Sequence, residues 1–324
     1  MKSLLLTIFT LLALSSSAQF HGPVGSANSI AMHTDSNAFV AWAKECKVTR
    51  GYQDISNTNL GLVTVGDSSF AIGKADAGIV SLGDGGSAII TFSAPISNGP
   101  GYDFAVFENA FNDSFLELAF VEVSSDGINF VRFPSVSNSP LNPQFNNNAN
   151  MDATKLNNLA GKYRALYGTP FDLQELSSSP QLDIDNITHV KIIDVIGNVM
   201  PPFVSFDSNN NAINDPWPTP FPQGGFDLDA VGVIHQKAVG IHELEKNSLF
   251  SFYPNPAKDK INIQLKGINE TASVILTDVL GNIRMEQEFK SNSAVLNMSE
   301  LSSGIYFISI HSGNKVCTKK IIKE

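Results

Sequence analysis

The sequence predicts an all-β protein made of two β-sandwich units. Short β-rich runs, each closed by Gly, Asn, Asp or Pro, follow one another along most of the 324 residues. Helical periodicity is scarce. A polar stretch without strand pattern, "HQKAVGIHELEKNS", separates two sets of runs that differ in charge. Residues 1–247 carry a balance of −12 and residues 248–324 a balance of +2, within a formal total of −10.

In chain order, residues 1–18 read as a signal peptide. Lys2 supplies the positive end, "LLLTIFTLLAL" the apolar core, and Ser16 and Ala18 the small residues before a cleavage site. That run is too short to span a bilayer as a helix, and no other segment approaches membrane length. The protein is therefore expected to be exported, without a transmembrane helix. Residues 19–235 are the first unit. "SNAFVAWAKEC" (36–46) has Phe39, Trp42 and Ala43 at helical spacing and predicts a short helix with Trp42 in the core. "MDATKLNNLAGKYRALYG" (151–168) is weakly helical in period and ends in Gly168. "SAIITFSAPI", "DFAVFENAF", "LELAFVEVSSDG", "INFVRFP", "ITHVKIIDVIG" and "FDLDAVGVI" predict strands, with a hairpin at Asp126-Gly127. Residues 236–249 are the expected linker. Residues 250–324 form the second unit, whose runs include "INIQL", "SVILTDVLGNI" and "GIYFISI".

Composition and motifs exclude several functions. A net acidic chain does not suit nucleic acid, whose binding rests on Lys and Arg meeting phosphates. Cys46 and Cys317 fall in different predicted units, which argues against a disulfide, and they match no zinc pattern. The histidines are scattered, and no G-x-S-x-G elbow is present. "GDGGS" at 83–87 lacks the Lys of a phosphate loop and reads as a turn. Glu117 and Glu122 are an odd number of residues apart on one predicted strand, so they face opposite sides and cannot form a hydrolytic pair. Glu108 with Glu122 stays open.

Oxygen-bearing side chains alternate in "FDSNNNAINDP". Asp207, Asn209, Asn211 and Asp215 stand at positions 1, 3, 5 and 9 of an EF-hand-like loop. Ala212 replaces its Gly and Pro218 its closing Glu. Two readings stand: a calcium loop, or a solvated turn of the kind Asn and Asp favour without metal. Asp227 and Asp229, two apart on a predicted strand, are expected on one side, with Glu108 as a further ligand. Structural calcium is the expected cofactor. Trp217 and Phe221, in the Pro-stiffened "PWPTPFP", and Tyr102 are the expected glycan contacts; packing at the sandwich edge is the alternative.

Two resemblances add to this reading. "FYPNPAKDKINI", "LTDVLGNI", "LSSGIYFISI" and "CTKKIIKE" together resemble the type A C-terminal sorting domain of the type IX secretion system of Bacteroidetes. That likeness implies a small Ig-like β-sandwich and a partner in the secretion machinery. It also implies an extracellular or outer-membrane-surface location. In the first unit, "FVEVSSDGINFVRF" and "ITHVKIIDV" resemble parts of discoidin-like jelly rolls. "GPGYDFAVFENAF" and "GGFDLDAVGVI" resemble the places where those domains and many carbohydrate-binding modules hold calcium. The segment is also similar to bacterial cell-surface proteins. The expected fold is thus a jelly-roll-like sandwich followed by an Ig-like one. The expected function is surface binding or adhesion, directed at glycans. A glycoside hydrolase and a structural surface component are the alternatives.

Overall fold

The computed structural model describes residues 19–237, 250–265, 272–312 and 315–324. The signal-peptide segment and most of the expected linker lie outside the described residues. The chain divides into two compact units, Met1–Ala238 and Val239–Glu324. Both are all-β and antiparallel, and the described residues contain no helix longer than a 3-10 turn.

Unit 1 contains β1 (Met32–His33), β2 (Ala41–Trp42), β3 (Glu45–Thr49), β4 (Val80–Ser81), β5 (Ser87–Ile96), β6 (Phe104–Glu108) and β7 (Ala119–Ser124). It continues with β8 (Val131–Arg132), β9 (Val136–Ser137), β10 (Leu156–Asn157), β11 (Tyr167–Phe171), β12 (Ile187–Asp194) and β13 (Asp227–Val233). One sheet runs β1-β11-β6-β13-β2, with β4 also paired to β13; the other runs β3-β5-β12-β7-β8. Period-2 burial explains the pairing of the sheets. Ala88 and Ile90 of β5, Val121 and Val123 of β7, and Val190 and Ile192 of β12 point into one core. Phe104 and Val106 of β6 and Leu228, Val231 and Val233 of β13 enter it from the other sheet. Continuous burial along β6 and β13 marks them as the covered centre of their sheet.

The predicted strands are all present, but the helices are not. Residues 36–46 form turns, β2 and the start of β3. Phe39 and Trp42 pack together and on Phe107, with ring centroids 4.9–5.6 Å apart, so their helix-like spacing serves an aromatic cluster on a sheet face. In 151–168 the only helical piece is the 3-10 turn Ala153–Lys155, and Gly168 lies inside β11.

Unit 2 contains β14 (Phe250–Tyr253), β15 (Lys260–Leu265), β16 (Ala272–Asp278), β17 (Ile283–Phe289), β18 (Ser293–Asn297), β19 (Gly304–Ser312) and β20 (Lys315–Lys323). Sheets β14-β15-β18 and β17-β16-β19-β20 close over one core that includes Phe250, Ile263, Leu276, Leu296, Ile308 and Ile321. Asp278 shapes the β16–β17 turn by accepting the backbone N–H groups of Leu280 and Asn282. Cys46 and Cys317 are free thiols.

Candidate functional site

The antiparallel register of unit 1 gathers acids at one end of the sandwich. Glu108 closes β6 and lies opposite Leu228, so it meets the start of β13, where Asp227 sits. In the other sheet Asp194 closes β12 opposite Ala119, the first residue of β7. Glu117 precedes that residue by two. Asp84 lies in the turn between β4 and β5, and Asp215 in the loop between β12 and β13. All six are buried.

The local chain explains why these carboxyls point inward. Glu108 is 1% exposed; one oxygen accepts the Ala110 N–H at 2.8 Å and the other, Oε1, has no partner. Asp227 accepts from the Ser81 hydroxyl at 2.5 Å and from Gln223 Nε2 at 2.7 Å. Asp215 accepts from Leu118 N–H at 3.3 Å, and its Oδ1 is unpaired. Asp194 takes the Phe226 and Gly85 N–H groups. Asp84 takes the Ile55 N–H and the Trp217 indole N–H. Gly161 is required beside Glu117. A Cβ there would stand 1.7 Å from the Glu117 carbonyl oxygen, and φ is +80°.

Burial is the first cause of every carboxyl shift in the group, because a charged carboxylate loses its hydration there. It drives Glu108 well up, with Asp227 adding to the effect. Glu117 rises well above its usual range by burial and then by Glu108 and Asp227. Asp215 also rises well, by burial and Asp194. Asp194 is pushed up to about 8 by burial and Asp84. Asp227 and Asp84 are each pushed up to about 6 by burial. The cationic influence on Asp227 is Arg50, whose guanidinium donates to the carbonyls of Val65, Ser81 and Gly66.

A cleft of about 210 Å³ opens above three of these acids, Glu108, Glu117 and Asp227. Phe111, Phe115 and Phe221 stand at its edge, with Asn109, Asn147, Thr219 and Gln223 as polar lining. Phe111 is 82% exposed and Phe221 47%, and the Phe111 and Phe115 rings lie 5.8 Å apart. The arrangement joins apolar faces to a floor of carboxyl groups, which suits a ligand with both apolar faces and polar edges.

The structure separates the residues that the sequence grouped. Glu108, Asp227 and Phe221 come together in the cleft. Asp229 does not join them. A bulge between Leu228 and Ala230 breaks the period-2 alternation, and the Asp229 carboxyl accepts the Asp76 and Ala77 N–H groups. The 207–215 run is not one loop about a centre. Asp207 folds a local turn, accepting from the backbone of Asn209, Asn211 and Ser137, while Asn209 and Asn211 are exposed. Asp215 belongs to the buried acids instead. Trp217 is half-buried and spends its N–H on Asp84 at 3.3 Å, off the cleft lining. Tyr102 is half-buried beside Asp172 and Glu175, also away from the cleft. Glu122 pairs with Arg132 and Lys191. Sequence reasoning missed Asp84 and Asp194, and it weighed Glu117 only as a partner of Glu122. For Glu117 and Asp194 the signal is an acid set within an apolar run, as in "FLELAF" and "IIDVIG"; Asp84 stands among glycines in "GDGGS" and carries no such signal. Among the described residues no three Asp, Glu, His or Cys side chains surround one point at ligating distance.

Comparison with known proteins bears most directly on unit 2. Residues 251–324 match the family described as secretion system C-terminal sorting domain. Residues 251–324 are a type IX sorting domain. Its presence makes the protein an exported one, secreted or displayed at the cell surface. An endo-acting ulvan lyase of Formosa agariphila is 32% identical over 96 residues, 27% of this chain and 18% of that protein. Karilysin of Tannerella forsythia is 31% identical over 88 residues, 24% of this chain and 19% of that protein. The chain thus spans less than a fifth of either relative. Among solved structures, a Ruminococcus gnavus β-glucuronidase is 12% identical. It covers 94% of this chain and 46% of its own, with a TM-score of 0.21. PorZ, a surface component of the type-IX secretion system of Porphyromonas gingivalis, is 11% identical. It covers 87% and 45%, with a TM-score of 0.22. At these scores neither likeness carries an argument. No helix among the described residues is long and apolar enough to cross a membrane.

Proposed function

We propose that unit 1 is a glycan-binding module that the sorting domain delivers to the outside of the cell, where it serves surface binding or adhesion. The cleft carries this reading: Phe111 and Phe221 offer exposed ring faces beside the carboxyls of Glu108, Glu117 and Asp227. Sugar rings present C–H faces to aromatic rings and hydroxyl edges to hydrogen-bonding groups, and the cleft supplies both. Calcium stabilises the module by neutralising its buried acids, which have no Lys or Arg ion pair among the described residues.

The test is a glycan array probed with the exported chain, in calcium and again in chelator. Binding to a defined glycan class is expected. Phe221→Ala should weaken it by about tenfold, or about 1.4 kcal/mol. Trp217→Ala should leave glycan affinity unchanged, since that ring stands off the cleft. A folded sample that ignores every glycan would remove the proposal. A glycan that bound and was shortened would replace it with hydrolysis by the same carboxyls.

A further inference from the structure

We propose that the cleft of unit 1 selects glycans bearing free amino groups, with the ammonium of a hexosamine unit seated on Glu108, Glu117 and Asp227. The inference rests on the glycan-binding reading and narrows it to a ligand class.

The lining of the cleft carries one sign of charge. Its ionisable side chains are Glu108 at the end of β6, Asp227 at the start of β13 and Glu117 just before β7; the rest are amide, hydroxyl or apolar. No ion pair reaches the three acids among the described residues. Arg50, the cationic influence on Asp227, has its guanidinium N–H groups on the carbonyls of Val65, Ser81 and Gly66. Two of the carboxyls are also short of donors. Glu108 Oε1 is buried without a hydrogen bond, in a residue only 1% exposed. The Glu117 carboxyl receives no hydrogen bond from any described residue.

This floor therefore calls for hydrogen-bond donors and positive charge together. A sugar hydroxyl supplies a donor only. An ammonium supplies three N–H donors, has no acceptor to leave unmatched and brings the charge. Its hydrogen bonds to carboxylates are about twice as strong as neutral ones. Burial and then the neighbouring acids push Glu108 and Glu117 well up; an ammonium beside them offsets the second cause and favours the charged form. The rings complete the match. Phe111 and Phe221 are exposed at the edge, and Phe115 stands beside Phe111. Their faces suit both the C–H face of a sugar ring and a cation close by. The same floor repels uronate and sulfate groups, and N-acetylation removes the charge that it answers. A lysine side chain offers an ammonium on a flexible stem, but no ring face for the phenylalanines.

The experiment titrates the full exported chain by calorimetry with glucosamine oligomers, and with N-acetylglucosamine and glucose oligomers of the same length. A lysine oligopeptide is the fourth probe. Glucosamine oligomers should bind about tenfold more tightly than either other glycan. Glu117→Gln should abolish that preference and leave the glucose-oligomer affinity within about twofold. Asp207→Asn, in a local turn off the cleft, should keep the preference. If Glu117→Gln does not fold, the three oligomers on the parent chain decide alone. Equal or weaker binding of the amino form, silence included, overturns the proposal, while the glycan array decides the broader reading separately. A lysine peptide that binds as tightly as the glucosamine oligomer also overturns it, as does a preference that survives Glu117→Gln.

Discussion

Asp194 is 3% exposed at the end of β12, with the Phe226 and Gly85 N–H groups donating to its two oxygens at 2.8 and 3.1 Å. Burial, and then Asp84, still push it up to about 8. The folded chain therefore holds this proton more tightly than the unfolded one. The stability it contributes is full below its ordinary value of 3.8 and is lost as pH rises through about 8. Asp84 behaves likewise and loses its share through about 6. In chelator, the melting temperature should fall between pH 5 and pH 8, by about 2–4 °C for each kcal/mol lost. Asp194→Asn cannot titrate, so it should flatten that slope while lowering stability by about 1–3 kcal/mol for the mismatched N–H contact. Equal slopes in parent and variant would show that Asp194 is not the titrating group. At this scale the sequence was only partly legible. The Asp-Asn alternation at 207–211 stands out, yet its carboxylate serves its own backbone. Asp194 hides in "IIDVIG", because its role depends on strand ends that meet only after folding.

The turn between β4 and β5 positions the acids of both sheets. Leu82 N–H donates to the Phe226 carbonyl and Gly83 N–H to the Gly224 carbonyl, while Asp194 N–H donates to the Gly86 carbonyl. Gly83 has φ +75° and Gly85 φ +71°, and a Cβ on Gly86 would lie 1.9 Å from the Leu82 carbonyl oxygen. Backbone stands in that space, so no side chain can yield. Gly86→Ala should cost about 3 kcal/mol, seen as a lower denaturant midpoint. An unchanged midpoint would mean that the turn tolerates a shift and does not lock Asp84 and Asp194 in place. The "GDGGS" turn and strands β5, β6, β12 and β13 could be read from apolar runs and glycines, since a covered strand needs little beyond local pattern. The bulge in β13 could not, because nothing local in "FDLDAVGVI" says that Asp229 is the extra residue. The helix expected at 36–46 failed for a related reason: Phe39 and Trp42 meet Phe107, more than sixty positions onward.

At the level of the whole molecule, each unit has its own buried core, one around β6, β12 and β13 and one around β15, β16 and β19. The two units also divide the work by charge and chemistry. Unit 1 holds the acids and the cleft. Unit 2 is the sorting domain, matched over residues 251–324. Such a division predicts that export and ligand binding separate cleanly. A gene truncated to remove 251–324 should leave the protein inside the cell, absent from the culture fluid and from the intact-cell surface. Fractionation with surface-protease treatment measures this. Because the cleft residues and the core beneath them all lie in unit 1, the retained chain should keep the glycan affinity and calcium response proposed for unit 1 within about twofold of the full chain's, the scatter expected when no partner group is removed. Retention together with unchanged binding assigns export to the tail and recognition to unit 1. A truncated chain that still reached the surface would show that unit 1 carries its own route out. A retained chain that lost binding would tie the cleft to the tail and end the modular reading.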